Sequence, residues 1–327
     1  MPISAKPVVC KSGKNIAILC EADAGHVRNF AHRQYVSMGG AEQVTWLDRV
    51  EQLDAVMPAW LHVGMVRQES ALLERLKHIP LLTMMAHHDF PHVCPPQRRQ
   101  KLMHLYTAAK LILTPRQAIS DSLQQAGVAT AKTHVLAAYP CQINMLHKPE
   151  VSKPLRLLYF GYSDSSFGLD RIPALMAACE QNQLAVQLMV AGEMDKATTA
   201  DFAALPNVEI IAEFIADEVV AELLAAADCL LLPYRKSVAT PKIMMAAEAG
   251  VPCLRTPAVK DWLGRDDAPG KTLAWSAQAW AKALADMGLQ SAEQRQLCLA
   301  WAEQMMTTYQ GQWQEIKQQN IQKLGWE

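Results

Sequence analysis

The stretch that decides the fold runs from Cys229 to Thr256 and reads Cys-Leu-Leu-Leu-Pro-Tyr-Arg-Lys-Ser-Val-Ala-Thr-Pro-Lys-Ile-Met-Met-Ala-Ala-Glu-Ala-Gly-Val-Pro-Cys-Leu-Arg-Thr. Its opening apolar run is too short for a helix and is typical of a strand that is covered on both faces of a parallel sheet. A polar loop follows, then a helix that Gly250 ends, with Pro252 just beyond it. We therefore predict strand, loop, helix and strand, the unit from which parallel α/β sheets are built.

The start of this helix carries the first candidate binding groups. Thr240 is suited to the N-cap, and Pro241 to the first turn, where its missing N–H costs nothing. The helix N-terminus would point to the carboxyl end of the sheet, where open α/β sheets bind anions such as phosphate. Lys242 adds a full positive charge at the same place. The pattern predicts a phosphate-binding site.

Composition bounds the class of protein. The 327 residues are enough for two domains with separate cores, and 50% of them are hydrophobic, which excludes a disordered chain. The net charge of -1 argues against a general nucleic-acid binder. Residues 1–150 nevertheless carry 16 basic and 11 acidic side chains. This basic first half indicates either an anionic acceptor or lipid surface as a partner, or an uneven scatter of surface charge.

The cysteines and the apolar segments indicate the compartment. The eight cysteines form no Cys-x-x-Cys pair and lie mostly in apolar runs, as small core residues of a reducing compartment do. We see no signal peptide and no window as apolar as a membrane span. We expect a cytoplasmic protein that is at most peripheral to the inner face of a membrane.

Short apolar runs alternate with helical periodicity along the whole chain. Alternation of this kind predicts parallel sheets with right-handed crossovers. Residues 139–154 are polar, contain prolines and form the best linker, so we place domains at 1–145 and 155–310 and a C-terminal helix at 311–327 that packs back on the first domain. The strands are predicted at 15–20, 44–47, 60–63, 81–85, 111–113, 134–137, 155–160, 185–191, 208–211, 229–232 and 253–254. The helices are predicted at 27–37, 69–77, 96–108, 116–126, 169–180, 198–205, 217–227, 242–249, 277–287, 292–309 and 312–324.

Several local motifs, taken in their order and spacing, resemble those of one known family of enzymes. The resemblance runs from Leu155 to about Gly264 and is weaker over residues 15–145. Its segments are a strand with a glycine turn at 158–162, a helix start at 167–170, strands at 188–192 and 226–233, and the proline-lysine donor helix at 241–252. In the first half, residues 82–91 resemble the strand that ends in a His-Asp pair. Together these segments resemble group 1 glycosyltransferases of the GT-B fold, similar to family 4. The resemblance implies two Rossmann-like α/β domains that face each other across a cleft.

The resemblance also implies a function. The family transfers a sugar from a nucleotide-sugar donor, usually with retained stereochemistry and without a bound metal or other cofactor. The donor diphosphate would lie against the Gly161 turn and the start of the helix, where main-chain N–H groups and cations stabilise the departing phosphate. The implied donor-binding residues are Gly161, Tyr162, Arg235, Lys236, Thr240, Pro241, Lys242 and Glu248.

This chain departs from the family at four positions. The two glutamates that the family places around the donor loop are replaced by Ser237 and Met245. Two basic residues that meet the diphosphate are replaced by Tyr162 and Phe167. The neutralisation of phosphate would then depend on Lys242 with Arg235 or Lys236 assisting, and Glu248 lies about one turn from Met245 as a substitute. Two hypotheses follow: a divergent transferase, or a degenerate member that binds a ligand or partner without catalysis.

The acceptor side is expected in the first domain. His88 and Asp89 end a predicted strand and would line the cleft, and His26 follows a glycine turn. The run from His87 to Cys94 is rich in metal-ligand types but matches no common zinc spacing, so we predict no metal. The alternative interpretation of these residues is an ordinary strand end with satisfied polar groups.

A basic amphipathic helix completes the candidates. Arg98, Arg99 and Lys101 share it with Leu102, Leu105 and Tyr106. Such a helix is either a solvated face over a core or a peripheral contact with a membrane that carries a lipid-linked acceptor. Taken together, the sequence predicts glycosyl transfer to a glycan, lipid-linked or other acceptor. A scaffold built on this fold, or a sugar-nucleotide epimerase of similar architecture, is the alternative.

Overall fold

The computed structural model describes residues 16–22, 26–38, 40–86, 95–137, 153–161, 163–213, 215, 217–261, 264–265 and 267–323. They form two compact units. One comprises Met1–Tyr139 with Thr307–Glu327, and the other comprises Pro140–Met306. No helix in the described ranges is both long enough and apolar enough to cross a membrane.

The first unit is built on a parallel sheet of six strands. The sheet order is β2-β1-β3-β4-β5-β6, so the chain reverses direction across the sheet between β1 and β3. Its elements in chain order are β1 (Ile16–Cys20), α1 (His26–Ser37), β2 (Val44–Leu47), α2 (Leu53–Val56), β3 (Trp60–Met65), α3 (Glu69–Arg75), β4 (Leu81–Met85), α4 (Pro96–Ala108), β5 (Leu111–Thr114), α5 (Gln117–Gln125) and β6 (Thr133–Val135).

The second unit repeats this architecture with a different strand order. Its six-stranded parallel sheet has the order β14-β12-β10-β7-β8-β9, and β11 pairs with β13 in a separate ribbon. The elements are β7 (Leu155–Phe160), α6 (Ile172–Gln181), β8 (Val186–Ala191), α7 (Lys196–Ala203), β9 (Val208–Ile211), α8 (Asp217–Ala226), β10 (Cys229–Leu232), β11 (Val238–Thr240), α9 (Lys242–Glu248), β12 (Cys253–Arg255), β13 (Val259–Asp261), β14 (Gly270–Thr272), α10 (Ala277–Leu289) and α11 (Ser291–Lys323).

The strands explain why each sheet is buried on both faces. β1, β4 and β10 are buried at every residue, as continuous apolar runs in a parallel sheet require. The five cysteines in the described part of the chain are free, buried thiols, in agreement with their prediction as core residues. Two Rossmann-like α/β sheets are therefore present, as the resemblance implied.

The C-terminal helix differs from the sequence prediction. Two helices with a break near residue 310 were expected, whereas α11 is continuous and includes Gly311. Its last part belongs to the first unit, where Trp313 and Ile316 are buried and Lys317 donates hydrogen bonds to the Met38 carbonyl and Gln43. Burial against the sheet supplies the stability that the polar sequence of this segment lacks.

Other differences are confined to short elements. The prediction missed β11, β13 and β14, each of three residues, because so short a strand leaves no periodicity to detect. Thr240 was predicted as the N-cap of a helix but is the last residue of β11. Pro241 is the N-cap instead, and α9 starts at Lys242.

Candidate functional site

The candidate site in the second unit lies where its strand order reverses. After β7 the chain adds β8 and β9 on one side, and it then returns to add β10 on the other side of β7. Loops diverge at such a point, and open α/β sheets bind ligands there, outside the carboxyl ends of the strands. Gly161 directly follows β7, and Pro233 directly follows β10.

The Gly161 turn is shaped around the Lys242 side chain. Lys242 Nζ donates hydrogen bonds to the Phe160 carbonyl at 2.5 Å and to the Tyr234 hydroxyl at 3.1 Å. Gly161 has a φ of +133°, and a Cβ at this position would overlap Nζ. Glycine is therefore required both for the backbone conformation and for the approach of the ammonium.

The Lys242 ammonium is held without a carboxylate partner among the described residues. It lies over the ring of Phe160, 4.7 Å from the centroid, and over that of Tyr234, 5.7 Å from the centroid. The faces of both rings attract the positive charge. Burial lowers the pKa of Lys242 to about 7. Two of its three protons are directed to oxygen atoms of the protein, which leaves one donor for an anion.

The short helix α9 positions Lys242 but adds little positive charge of its own. Lys242 N donates to Thr240 Oγ1 at 3.3 Å, and the buried Thr240 thereby fixes the turn into the helix. The helix has seven residues. Its partial charge is therefore small beside the full charge of Lys242.

Arg235 and Lys236 differ in what holds them. The Arg235 guanidinium binds both carboxylate oxygens of Asp170, at 2.5 and 2.7 Å, and also the Ser165 carbonyl at 2.9 Å. The hydrogen bond from Arg235 lowers the pKa of Asp170. Lys236 instead places Nζ 4.1 Å from the ring centroid of Phe167. Both residues also donate their backbone N–H groups to Ser166 O, which joins the loops after β7 and β10.

Two of these partners were not predicted from the sequence. Tyr234 is buried, packs edge-on against Phe167 with the ring centroids 5.0 Å apart, and binds Lys242 through its hydroxyl. Desolvation raises its pKa well above the ordinary value, so the hydroxyl stays protonated. Its only sequence signal is its place just after β10. Asp170 lies 65 residues from Arg235 in sequence, and no local pattern joins them.

The positions of the missing glutamates are explained in part. Met245 is 7% exposed and packs in the core, so an apolar side chain suits its surroundings. Ser237 is exposed in the loop before β11. Glu248 is the last residue of α9, six residues beyond Lys242, which puts it about 9 Å along the helix axis from Lys242.

Four predicted residues lie outside the part of the chain whose side chains are described. They are Tyr162 after the Gly161 turn, His88 and Asp89 after β4, and His26, which is the first residue of α1. The structure thus brings together Gly161, Thr240, Pro241 and Lys242 at one strand end, with Arg235 and Lys236 on the adjoining loop. The acceptor-side residues stay predictions.

A buried carboxylate organises the corresponding edge of the first unit. Glu21 follows β1, is 8% exposed, and accepts hydrogen bonds from Arg67 N at 2.5 Å, Gln68 N at 3.0 Å and Val50 N at 3.2 Å. These amides belong to the loops after β3 and β2. The β1–β3 register shifts between Leu19 and Cys20, a bulge of the kind that re-aims residues beside binding sites.

The basic helix α4 is only partly a solvated face. Arg98 Nε pairs with the buried Glu69 at 2.6 Å, and its Nη2 donates to the Val66 carbonyl at 3.2 Å. Lys101 is exposed, while Leu105 and Tyr106 are buried. One of the three cations therefore ties α4 to α3. Within the described ranges, no three His, Cys, Asp or Glu side chains are grouped to hold a metal ion.

Comparison with known proteins finds a family model that matches part of the second unit. Residues 156–288, which lie in the second unit, match the family model of the group 1 glycosyl transferases. No curated protein matches the chain in sequence.

Solved structures share the fold over nearly the whole chain. HepE from Anabaena, in complex with UDP and glucose, has a TM-score of 0.63 at 15% identity and covers 93% of this chain and 99% of its own. A glycosyltransferase from Rickettsia africae ESF-5 has a TM-score of 0.60 at 10% identity, covering 93% and 98%. The lipopolysaccharide outer core galactosyltransferase WaaB has a TM-score of 0.58 at 13% identity, with the same coverage. Residues 156–288 therefore match the group 1 glycosyl transferases, and the chain shares the GT-B fold of these solved structures.

Proposed function

We propose that this protein is a glycosyltransferase that moves a sugar from a nucleotide-sugar donor to a glycan, lipid-linked or other acceptor, with retention and without a bound metal. The observation that carries the proposal is the Lys242 ammonium beneath the Gly161 turn, at the point where the strand order reverses. HepE, which shares the fold, was crystallised with UDP-glucose.

The chemistry follows from where charge develops. When the sugar leaves, negative charge grows on the nucleoside diphosphate, and fixed donors aimed at that charge lower the barrier. In the proposal, the Gly161 turn lets the phosphates approach closely, since its own N–H is donated to the Ala191 carbonyl, and Lys242 offers its remaining proton to them. Thr240 and Pro241 fix the start of α9, and Arg235 or Lys236 assists from the adjoining loop. Glu248 is assigned a contact to the donor sugar or ribose.

The acceptor side of the proposal belongs to the first unit. His88, Asp89 and His26 would contact acceptor hydroxyls there. Contact with a membrane through α4 is the form that a lipid-linked acceptor would require, and the exposed Lys101 supports it. Co-sedimentation with vesicles containing anionic lipid tests this part, because K101E should reduce binding if α4 touches the surface.

Calorimetry with UDP, GDP and CDP tests the donor site. We expect one of them to bind, and K242A to weaken that binding by about tenfold or more, as the loss of a charge-assisted contact implies. K282A removes an exposed lysine on α10 and is the matched control. Failure of all three nucleotides to bind would contradict the proposal. The anomeric configuration of the product, and activity in the presence of EDTA, test retention and metal independence.

A non-catalytic binding or scaffold protein is the second candidate. The buried Met245 favours it, because the helix face that would carry a glutamate in the family belongs to the core here. Release of UDP from UDP-glucose in the presence of candidate acceptors separates the two. Binding of UDP without any release of UDP from UDP-glucose would support the scaffold hypothesis.

A further inference from the structure

The side chains around Phe167 include a second positive charge that could help this site to neutralise a diphosphate. Phe167 stands where the family resemblance implies a lysine, immediately before Gly168. Phe167 ends a short 3-10 helix in the loop after β7, and its ring is half-buried. A charge is nevertheless present at this position, because Lys236 places its ammonium 4.1 Å from the centre of the ring.

Arg235 is committed to a structural contact. Its guanidinium makes a two-point contact with Asp170 and a third hydrogen bond to the Ser165 carbonyl. These contacts use three of the five N–H donors and fix the plane of the guanidinium against Asp170, in the two-point geometry typical of strong ion pairs. Arg235 therefore holds the loop after β10 against the loop after β7.

Lys236 is in the opposite situation. Its side chain is exposed, and no ion pair with a carboxylate holds it among the described residues. Hydrogen bonds from Ser166 and, after them, the charge of Lys236 lower the pKa of Asp164. A contact between an exposed lysine and an aromatic ring is weak, so it keeps the ammonium near Phe167 and still lets it turn to an anion.

A row of side chains links Lys236 to the Gly161 turn. Lys242 Nζ binds the Tyr234 hydroxyl, the Tyr234 ring packs on Phe167, and Lys236 lies on Phe167. The two cations therefore lie at the two ends of an aromatic pair that the loops after β7 and β10 bring together. Lys242 is half-buried and anchored by two hydrogen bonds, whereas Lys236 is exposed.

We infer that Lys236 is the second cation for the donor diphosphate and replaces, from the loop after β10, the lysine that is absent at position 167. The inference rests on the proposed function. It also assigns Arg235 a positioning role through Asp170, with no direct contact to phosphate. The site thus keeps its charge while the residue that carries it has moved to another loop.

A charge relocation experiment tests this inference. Calorimetry measures the affinity of wild type, K236A, F167K/K236A and K282A for whichever of UDP, GDP and CDP binds wild type best. We expect K236A to weaken binding about tenfold, F167K/K236A to recover most of the loss, and K282A to leave it unchanged. Thermal unfolding of each variant verifies that the exposed substitutions leave the fold intact.

Each outcome bears on a different statement. K236A with the affinity of wild type would overturn the role of Lys236 while leaving the donor site in place. A weakened K236A that F167K does not restore would overturn the relocation of charge. Absence of binding by wild type to every nucleotide would remove the donor site itself and the inference with it. R235K should lower the melting temperature more than K236A does, because it breaks the two-point contact with Asp170.

Discussion

At the scale of single residues, the site depends on a lysine that is costly to keep charged. The Lys242 ammonium has a carbonyl, a hydroxyl and two aromatic rings around it, and no carboxylate among the described residues. Burial lowers its pKa to about 7, against an ordinary value of 10.5. An arriving diphosphate would supply the missing negative charge and favour the protonated form.

The lowered pKa of Lys242 predicts how the free energy of unfolding changes with pH. Between pH 7 and 10.5 the unfolded chain binds a proton that the folded chain has released, so the free energy of unfolding rises with pH across this window. Below pH 7 Lys242 is charged in both states. The free energy of unfolding then no longer changes with pH, and the cost of burying the charge is at its full value. In urea unfolding, the gain in the free energy of unfolding of K242M over wild type should therefore be largest at pH 6.5 and smaller at pH 9.5. A difference that does not change with pH would show that the ammonium is well solvated.

At the scale of elements, one carboxylate joins the loops at the strand ends of the first unit. Glu21 accepts three backbone N–H groups from the loops after β2 and β3. Hydrogen bonds to a charged acceptor are stronger than neutral ones, and buried amides without partners are costly. The carboxylate therefore holds the ends of three adjacent strands together where the proposed acceptor would bind.

Removing the charge of Glu21 should loosen these loops. E21Q keeps the shape but replaces one acceptor oxygen with a donor, so at least one of the three amides loses its partner. We expect a loss of about 1–3 kcal/mol in the free energy of unfolding. Hydrogen exchange at Val50, Arg67 and Gln68 should become faster. E51Q, an exposed neighbour of Val50, is the control, and equal effects of the two variants would refute the role of Glu21.

At the scale of the whole molecule, the C-terminal segment completes the first unit. Trp313 is fully buried, and its ring meets His62 edge-on with the centroids 5.3 Å apart. Burial lowers the pKa of His62 to about 3, so its ring is neutral. His62 Nε2 lies 3.0 Å from Gln34 Oε1, and Nδ1 lies 2.8 Å from Thr83 Oγ1. Since Gln34 Oε1 only accepts, Nε2 carries the proton and Nδ1 accepts from the Thr83 hydroxyl.

Truncation of Trp313 should separate the stabilities of the two units. W313A leaves a cavity in the first unit and is expected to cost about 3–5 kcal/mol there. The second unit does not contain Trp313, so its thermal transition and its nucleotide affinity should stay as in wild type. Calorimetric unfolding resolves the two transitions, with Q322A on the same helix as an exposed control. Loss of nucleotide binding in W313A would contradict this division.

The sequence by itself determined the order and type of the longer elements. Val44–Leu47, Leu81–Met85, Leu155–Phe160 and Cys229–Leu232 begin and end where the apolar runs predict. Strands buried on both faces must be apolar throughout, so their burial is written locally in the chain. The glycine turn after β7 and the lysine at the start of α9 could be recognised in the same way.

Only the tertiary structure decided which side chains meet. The topology brings Asp170 to Arg235, Phe167 to Lys236, and Tyr234 to Lys242, and each contact joins residues that no local period relates. The short strands β11 and β13 likewise exist because they pair with each other. The local pattern of apolar and polar residues predicts how deeply each residue is buried. The partner of a charge depends on which loops the strand order gathers at one edge, and that order is a property of the folded sheet.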